Sequence, residues 1–442
     1  MEIKQLYALF LRSTGVTTDS RTLKGGELFF ALKGENFDGN AYAVAALEKG
    51  AAYAVVDAAS EAAASGDERL IPVTDTLETL QTLARYHREH TLVAGKRLTV
   101  VGLTGTNGKT TTKELIRAVL SAKYVVTATE GNLNNDIGVP LSLLKIDART
   151  QLAVIEMGAS HPDDIAHLVA VSEPDLGLIT NVGKAHLLGF GSFEGVKKAK
   201  GQLYDYLQAH GGKAFVRSAD ADLVEMAAAR EGLETIPYGD GAIVLPADAA
   251  HPFLRMAVPS ESDPDILLGV ETHLVGTYNA PNVLAALAIG RYFGVPQDDA
   301  IAAVCRYEPS NNRSQMMRTA NNTLVVDAYN ANPTSMAAAL DNIANIVSDR
   351  KVLMLGSMGE LGTDSVAEHV KILERLPVAG ATQVLLVGEE FRKALAAHSV
   401  DCLWFETSQA LADWLKAHPV KDAVVLVKGS RSQQMEKVIP EL

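Results

Sequence analysis

The sequence predicts an α/β fold in three domains, and three observations carry that reading. Apolar runs of strand type alternate with stretches of helical periodicity along nearly the whole chain. At 442 residues, 47% apolar and 21% charged, the chain has enough apolar surface for several cores. A strand, a glycine-rich loop and a helix follow one another near residue 100. Such alternation is what a parallel sheet needs, because parallel neighbours are joined by helical crossovers and not by tight hairpins.

The first domain is a small N-terminal α/β unit, assigned to residues 1–78. GELFFALKG (26–34) and AAYAVVDAA (51–59) are strands with an alanine-rich helical segment between them, and RLIPVTD (69–75) is a further short strand. TLETLQTLARYHREH (76–90) has apolar residues at helical spacing and leads into the second domain.

The central P-loop mononucleotide-binding domain is assigned to 79–309. LTVVGLTG, LAVIEMG (152–158), LGLITNVG (176–183) and KAFVRS (213–218) are runs suited to a buried parallel sheet. Helices over 110–122 and 162–171 fit between them, and the stretch near 246–265 is expected to be irregular. VLAALAIGRYFG (283–294) is a helix ended by Gly294 and Pro296. The third domain, 310–442, repeats the alternation through TLVVDAY, KVLMLGSM, TQVLLVGE and AVVLVKGS, a Rossmann-like open sheet. Polar or glycine residues close each of these strands, where open α/β sheets bind ligands, so the three domains are expected around a shared cleft.

The formal charge of −13 argues against non-specific nucleic-acid binding, which wants a basic face. Cys305 and Cys402 are the two cysteines, too few for a disulfide framework or a cysteine zinc site. The start MEIKQLYALF has no signal-peptide pattern, and no uncharged apolar run is long enough for membrane insertion. A cytoplasmic enzyme is the expectation.

Residues 102–110 read GLTGTNGKT. Backbone N–H groups of Gly105, Thr106, Asn107 and Gly108 and the following helix N-terminus suit phosphate oxygens. Lys109 would bridge terminal phosphates, and the Thr110 hydroxyl, followed by Thr111, would meet Mg²⁺. Leu103 stands where the usual spacing has a glycine.

Other polar clusters admit two readings each. Glu156 and His186 close strands on the same sheet edge; they are metal ligands, or a solvated acid and a capping histidine. Lys197, Lys198 and Lys200 form either a solvated basic face or, at Lys200, an amine able to take up CO₂ as a carbamate. Asn132, Asn134 and Asn135 in EGNLNNDIG are turn formers or amide donors around a diphosphate. Asn279 and Asn282 could cap a helix. Arg313, Asp327, Tyr329 and Asn330 gather near a domain junction where phosphate, ribose and adenine could be met. KGSRS offers Lys428, Ser430 and Arg431 as a carboxylate-binding set.

In this order the pieces resemble the Mur ligase family, ATP-dependent amide-forming enzymes of cell-wall precursor synthesis. The segments are DSRTLKGGELFFALKGENFDG (19–39), TGTNGKTTT, GNLNNDIGVPLSLL, EMGAS, NVGKAHLLGFGSFEGVKKAKGQLY, NNRSQ, DAYNANP, LGSMGELG and LVKGSRS. Within the family they resemble the branch that adds D-alanyl-D-alanine to UDP-N-acetylmuramoyl-tripeptide through an acyl phosphate. The resemblance implies ATP, with Lys109 on its γ-phosphate and two Mg²⁺ ions held by Thr110, Glu156, His186 and a carbamate on Lys200. It implies that Asn279, Asn282, Arg313, Asp327, Tyr329 and Asn330 bind the nucleoside and phosphates. Ser20, Arg21, Lys33, Asn132, Asn134 and Asn135 would bind the UDP substrate, and Ser430 and Arg431 the dipeptide.

Departures from the family pattern are Ser357 in place of aspartate, Asp163–Asp164 in place of glycine–glutamate, and Lys184 where glutamate is frequent. Related ligases, such as a tripeptide-forming muramyl ligase or a folylpolyglutamate synthase, are the near rivals. KGSRS and EMGAS argue for the dipeptide adder, and the DNPR-like segment of a diaminopimelate adder is absent. A GTPase switch is disfavoured because no NKxD string occurs.

Overall fold

A computed structural model describes residues 1–34, 37–246, 251–310, 313 and 315–442. Glu35 and Asn36 of LKGENFDG, and Asn311, Asn312 and Ser314 of NNRSQ, lie outside the described residues.

In the N-terminal domain, helix α1 (Ile3–Phe10) precedes strands β1 (Val16–Thr17) and β2 (Leu28–Phe30), helix α2 (Ala43–Glu48), and strands β3 (Tyr53–Asp57) and β4 (Leu70–Val73). The strands form a parallel sheet in the order β1-β2-β3-β4. Alternation decides its faces. Phe29, Ala54 and Val56 meet Ala43, Ala46 and Leu47 of α2. Leu28, Phe30 and Val55 turn the other way, onto α3 (Thr76–His90).

Helix α3 starts where the Asp75 carboxylate accepts from Glu78 N at 2.8 Å. It runs straight through residue 78, so the join assigned there falls inside a helix. Its Leu80, Leu83 and Ala84 belong to one apolar cluster shared with the central domain. Fully buried Arg88 seals that seam: its guanidinium donates to Ser172 O at 3.3 Å, Glu173 O at 3.1 Å and Asp175 Oδ2 at 2.8 Å. Truncation would leave two carbonyls at the end of a helix buried without this donor. Arg88→Leu is therefore expected to destabilise the protein by about 3 kcal/mol. A urea midpoint equal to that of the parent would contradict this.

The central domain continues with β5 (Thr99–Thr104), α4 (Lys109–Leu120), β6 (Val126–Ala128), α5 (Gly138–Leu143), β7 (Leu152–Glu156), α6 (Asp164–Ser172) and β8 (Leu176–Ile179). Then come α7 (Leu187–Phe190), α8 (Phe193–His210), β9 (Lys213–Arg217), α9 (Ala221–Ala228) and β10 (Glu234–Tyr238). The sheet is wholly parallel, ordered β6-β7-β5-β8-β9-β10. Val101, Leu103, Val154 and Leu178 pack with Leu115, Ile116 and Val119 of α4. Val100, Ala153, Ile155 and Ile179 face α5, α6 and α8. Both faces are covered, so the strands read as continuous apolar runs.

The stretch expected to be irregular is a three-stranded antiparallel sheet of β11 (Ile243–Leu245), β12 (Arg255–Pro259) and β13 (Leu267–Glu271). Its central strand buries Met256 and Val258 alternately, and the proline-rich and acidic connections mask that signal in the sequence. Helices α10 (Ala280–Tyr292) and α11 (Gln297–Arg306) then cover the central sheet beside α4.

The C-terminal domain holds β14 (Gln315–Arg318), β15 (Asn322–Asp327), α12 (Pro333–Asn345), β16 (Lys351–Gly356), α13 (Ser365–Arg375), β17 (Gln383–Val387), α14 (Glu389–Ala397), β18 (Leu403–Phe405), α15 (Ser408–Ala417) and β19 (Ala423–Lys428). Sheet order is β14-β15-β19-β16-β17-β18, parallel except for the β14–β15 pair. Val325, Leu353, Leu355 and Leu426 face α12 to α14, while Val326, Val352, Met354 and Val427 face α15 and the last turns of the chain. This is the Rossmann-like sheet, and the fold is α/β in three domains. Among the described residues no helix is long and apolar enough to cross a membrane.

Candidate functional site

In the central sheet, β5 lies between β7 and β8, and the chain leaves on one side before crossing to the other. The crevice at such a switch point, outside the strand ends, is where open α/β sheets bind ligands. Here it opens into a cleft of about 770 Å³ closed on its far side by the C-terminal domain.

Its floor is the loop between β5 and α4. Gly105 sits at φ +147°, and a Cβ there would lie 1.9 Å from Thr180 Oγ1. The Thr180 hydroxyl donates to Asn107 O at 2.7 Å, and Asn181 Oδ1 accepts from Asn107 N at 3.0 Å. The end of β8 thus braces the loop. Gly105→Ala is expected to displace that brace and abolish measurable ADP binding by calorimetry, since no rotamer relieves a backbone strain of about 1–3 kcal/mol.

Lys109 bends back over the loop, donating from Nζ to Gly105 O at 2.7 Å and Thr106 O at 3.1 Å. Burial draws its ammonium down to about 8 against the pull of Glu156, with Arg313 opposing it further. Gly108, at φ +79°, lies against Asn282, whose amide donates to Asn279 Oδ1 at 2.9 Å.

Glu156 ends β7 and is buried. Its Oε1 accepts from Thr110 Oγ1 at 3.2 Å and Asn134 Nδ2 at 2.8 Å, while Oε2 is buried with no hydrogen-bond partner. An orphaned carboxylate oxygen beside a threonine hydroxyl is a set of hard oxygen donors, and it fits Mg²⁺. Among the described residues no group of three or more His, Cys, Asp and Glu gathers as a protein-only metal cage. Nucleotide phosphates and water would supply the remaining ligands.

His186 precedes α7 and turns its Nδ1 to the Glu360 carboxylate of the C-terminal domain. Lys200, on α8, is buried behind the cleft wall, with Nζ 5.7 Å from the centre of the Phe190 ring. Burial, aided by the nearby charge of Lys109, pushes its pKa well below the ordinary lysine value, Asp164 acting against. Lys197 of the same run instead pairs with Asp222 at 2.5 Å at the surface.

The C-terminal wall presents Arg313, whose guanidinium lies 3.7 Å from the centre of the Tyr329 ring. Asp327 and Asn330, at the end of β15, also line the cleft and converge on Lys428: its buried Nζ meets Asp327 Oδ2 at 2.5 Å and Asn330 O at 3.2 Å. Asn332 caps α12 through Ser335 N at 2.9 Å and donates to Asn107 Oδ1 at 2.8 Å, tying this wall to the phosphate loop.

Several residues named from the sequence stand apart from the cleft wall. Arg21 is exposed and engaged by Asp19 at 2.7 Å, Lys33 is exposed, and Ser20 lends its carbonyl to Lys49 Nζ at 3.5 Å. Asn132 is exposed, while Asn135 lines the cleft with its Oδ1 accepting from Gly138 N at 2.9 Å. Ser430 is buried, its hydroxyl donating to Ser357 O at 2.6 Å, and Arg431 pairs with Glu436 at 2.7 Å. Ser357 is a packing residue too: its hydroxyl donates to Val387 O at 3.1 Å and accepts from Phe391 N at 3.3 Å. Asn181, Asn332 and Glu360 line the cleft without having been singled out. The amide pair follows from strand-end and cap positions; Glu360 carries no local signal.

Comparison with known proteins bears on this arrangement. The family models described as "Mur ligase family, catalytic domain", "Mur ligase middle domain" and "Mur ligase, glutamate ligase domain" match residues 12–88, 103–290 and 312–431. The chain is 35% identical to the UDP-N-acetylmuramoyl-tripeptide–D-alanyl-D-alanine ligase of Escherichia coli K12 and 32% identical to that of Bacillus subtilis 168. Each alignment covers 97% of this chain and 93% of the relative. Among solved structures, MurF from Acinetobacter baumannii superposes with a TM-score of 0.85 at 28% identity, over 98% of this chain and 97% of that one. MurF from Thermotoga maritima in complex with ADP superposes with a TM-score of 0.84 at 27% identity, with the same coverage. With all three of its domains matched in order and relatives aligned along nearly its full length, this chain belongs to the Mur ligase family.

Proposed function

We propose that this chain is an ATP-dependent ligase of peptidoglycan precursor synthesis. It joins D-alanyl-D-alanine to UDP-N-acetylmuramoyl-tripeptide and releases ADP and phosphate. The observation that carries the reading is the near full-length likeness to ligases of that name. A carboxylate oxygen of the tripeptide attacks the γ-phosphorus of ATP, the bond to ADP breaks, and an acyl phosphate forms. The dipeptide amine attacks the acyl carbon, and the tetrahedral adduct expels phosphate as the ammonium proton leaves.

Each step brings like charges together, and the site residues answer that need. Lys109 holds the γ-phosphate and loses its present bonds to Gly105 O and Thr106 O in doing so. Thr110, Glu156, His186 and a carbamylated Lys200 would hold two Mg²⁺ ions, which when bound would neutralise the transferring phosphoryl group. The carbamate is supported by the burial of the Lys200 amine, which with the charge of Lys109 depresses its pKa in spite of Asp164. Its neutral lone pair attacks CO₂, forming an N–C bond with loss of one N–H proton.

Asn279, Asn282, Arg313, Asp327, Tyr329 and Asn330 take the nucleoside and phosphates, the Arg313–Tyr329 stack offering a flat face for adenine. Asn134 and Asn135, with Asn132, Ser20, Arg21 and Lys33, take the UDP substrate; Ser430 and Arg431 take the dipeptide carboxylate. The reaction is assigned to the cytoplasm, where ATP is supplied, with no nucleic-acid partner.

The test is phosphate release from ATP with UDP-N-acetylmuramoyl-tripeptide and D-alanyl-D-alanine, added singly and together. Release that requires both is the expected result. Release with neither, or none with both, would overturn the reading.

A further inference from the structure

We infer that Glu360 of the C-terminal domain orients His186 of the central domain as a metal ligand, so that docking of the two domains completes the metal site. The inference rests on the proposed role of His186 as a Mg²⁺ ligand, and concerns a residue to which no role has been given.

Four observations meet at this pair. His186 Nδ1 is buried in ion-pair contact with the Glu360 carboxylate and makes no other polar contact among the described residues, and both residues line the cleft. The two segments carrying them touch elsewhere: Leu188 N donates to Glu360 O at 3.4 Å, and Lys184 Nζ lies 3.9 Å from Glu368 Oε1. Leu188 also covers Gly362, 3.4 Å from where a Cβ would stand. Finally, both partners hold left-handed backbone, His186 at φ +52° and Glu360 at φ +61°.

The strain is informative because glycines stand close by. Gly359 and Gly362 flank Glu360, and Gly183 and Gly189 lie near His186, yet the strained positions themselves carry the large polar side chains. Non-glycine residues in this region persist where the surroundings over-determine them, typically at functional sites. A simple exposed ion pair contributes too little to offset two such residues.

The chemistry of imidazole supplies the role. A neutral ring has one N–H and one lone pair, and the partner of the first decides which nitrogen carries the second. The Glu360 carboxylate beside Nδ1 favours the proton on that nitrogen, and the lone pair then resides on Nε2, ready for a cation. Carboxylate partners of this kind fix the tautomer of metal-bound histidines and raise their basicity. Here the partner belongs to another domain. Separation of the domains would free the ring, and metal affinity would fall with it. Glu360 is thus a positioning residue, acting through His186.

The experiment is Mn²⁺ titration of the full-length protein–ADP complex, read by EPR of the free ion, for the parent, Glu360→Gln, His186→Ala and the double variant. Glutamine keeps the size of the side chain, and the thermal midpoint of each variant reports folding. Glu360→Gln is expected to weaken at least one class of Mn²⁺ site about 10-fold. His186→Ala should weaken the same class at least as much, and the double variant no further than His186→Ala. If His186→Ala weakens binding while Glu360→Gln leaves it unchanged or tightens it, the orienting role is overturned and the ligand role of His186 stands. If His186→Ala has no effect on Mn²⁺ binding, the ligand role itself falls and this inference with it.

Discussion

Lys109→Ala is expected to lower ATP-dependent phosphate release by about 10²-fold or more, the scale seen when one preorganised charge-stabilising group is removed from a reacting centre. The side chain lies over the loop it would serve, its Nζ donating to two loop carbonyls. An arriving γ-phosphate offers a stronger, charge-assisted acceptor, so the lysine swings from backbone to ligand. Alanine removes the charge and leaves the backbone cradle intact. ADP should still bind, measurable by calorimetry, while turnover is lost.

The pH dependence separates this role from simple packing. Burial draws the Lys109 pKa down to about 8. Below that pH the ammonium is present; as pH rises through about 8 it discharges in the free protein. kcat/KM for ATP should therefore fall on the alkaline side of about 8. With ATP bound, phosphate charge holds the proton on, and the corresponding fall in kcat should lie at higher pH. The Lys109→Ala profile should lack this limb of kcat/KM. Unchanged turnover in Lys109→Ala would remove the assignment of the loop.

Lys200→Ala is the second large effect. Turnover should fall strongly, and raised CO₂ should not restore it, because alanine has no amine to carboxylate. Three physical facts support the expectation. The amine is buried, it lies near the positive charge of Lys109, and the opposing charge of Asp164 does not offset the two. A buried ammonium whose nearby charges do not compensate it is costly. Conversion to an anionic carbamate turns that cost into a ligand for a cation, and it relieves the repulsion from Lys109. In the parent, removal of dissolved CO₂ should lower activity reversibly. Near-parental turnover in Lys200→Ala would dismiss the carbamate.

The phosphate loop was legible because its signal is local. Three glycines, a lysine and threonines follow a strand and precede a helix within a few residues, and the sheet then places them without help from distant parts. Glu156 was legible for a similar reason, as the acid that ends an apolar run. Lys200 was ambiguous. It shares a lysine run and a helix with Lys197, yet one pairs with Asp222 at the surface and the other is buried; spacing within the run does not reveal which face the sheet covers. Ser430 reads from the chain as part of a carboxylate-binding set, but nothing local to KGSRS shows that its hydroxyl donates to Ser357 O. The antiparallel sheet around 243–271 was hidden because two of its three strands are largely exposed, and the adjacent Leu267 and Leu268 blur the in–out alternation of the last.

By itself, then, the sequence determined the three α/β domains, the glycine-rich loop between strand and helix, and the family, since all depend on periodicity and short-range order along the chain. Only the tertiary structure decided what faces the loop. Asn332 on Asn107, Lys428 beneath Asp327, and Glu360 against His186 join residues from separate strands or separate domains. Such pairings follow from how helix-covered sheets dock and from which polar groups must find partners once water is excluded, and neither condition leaves a periodic trace in the chain.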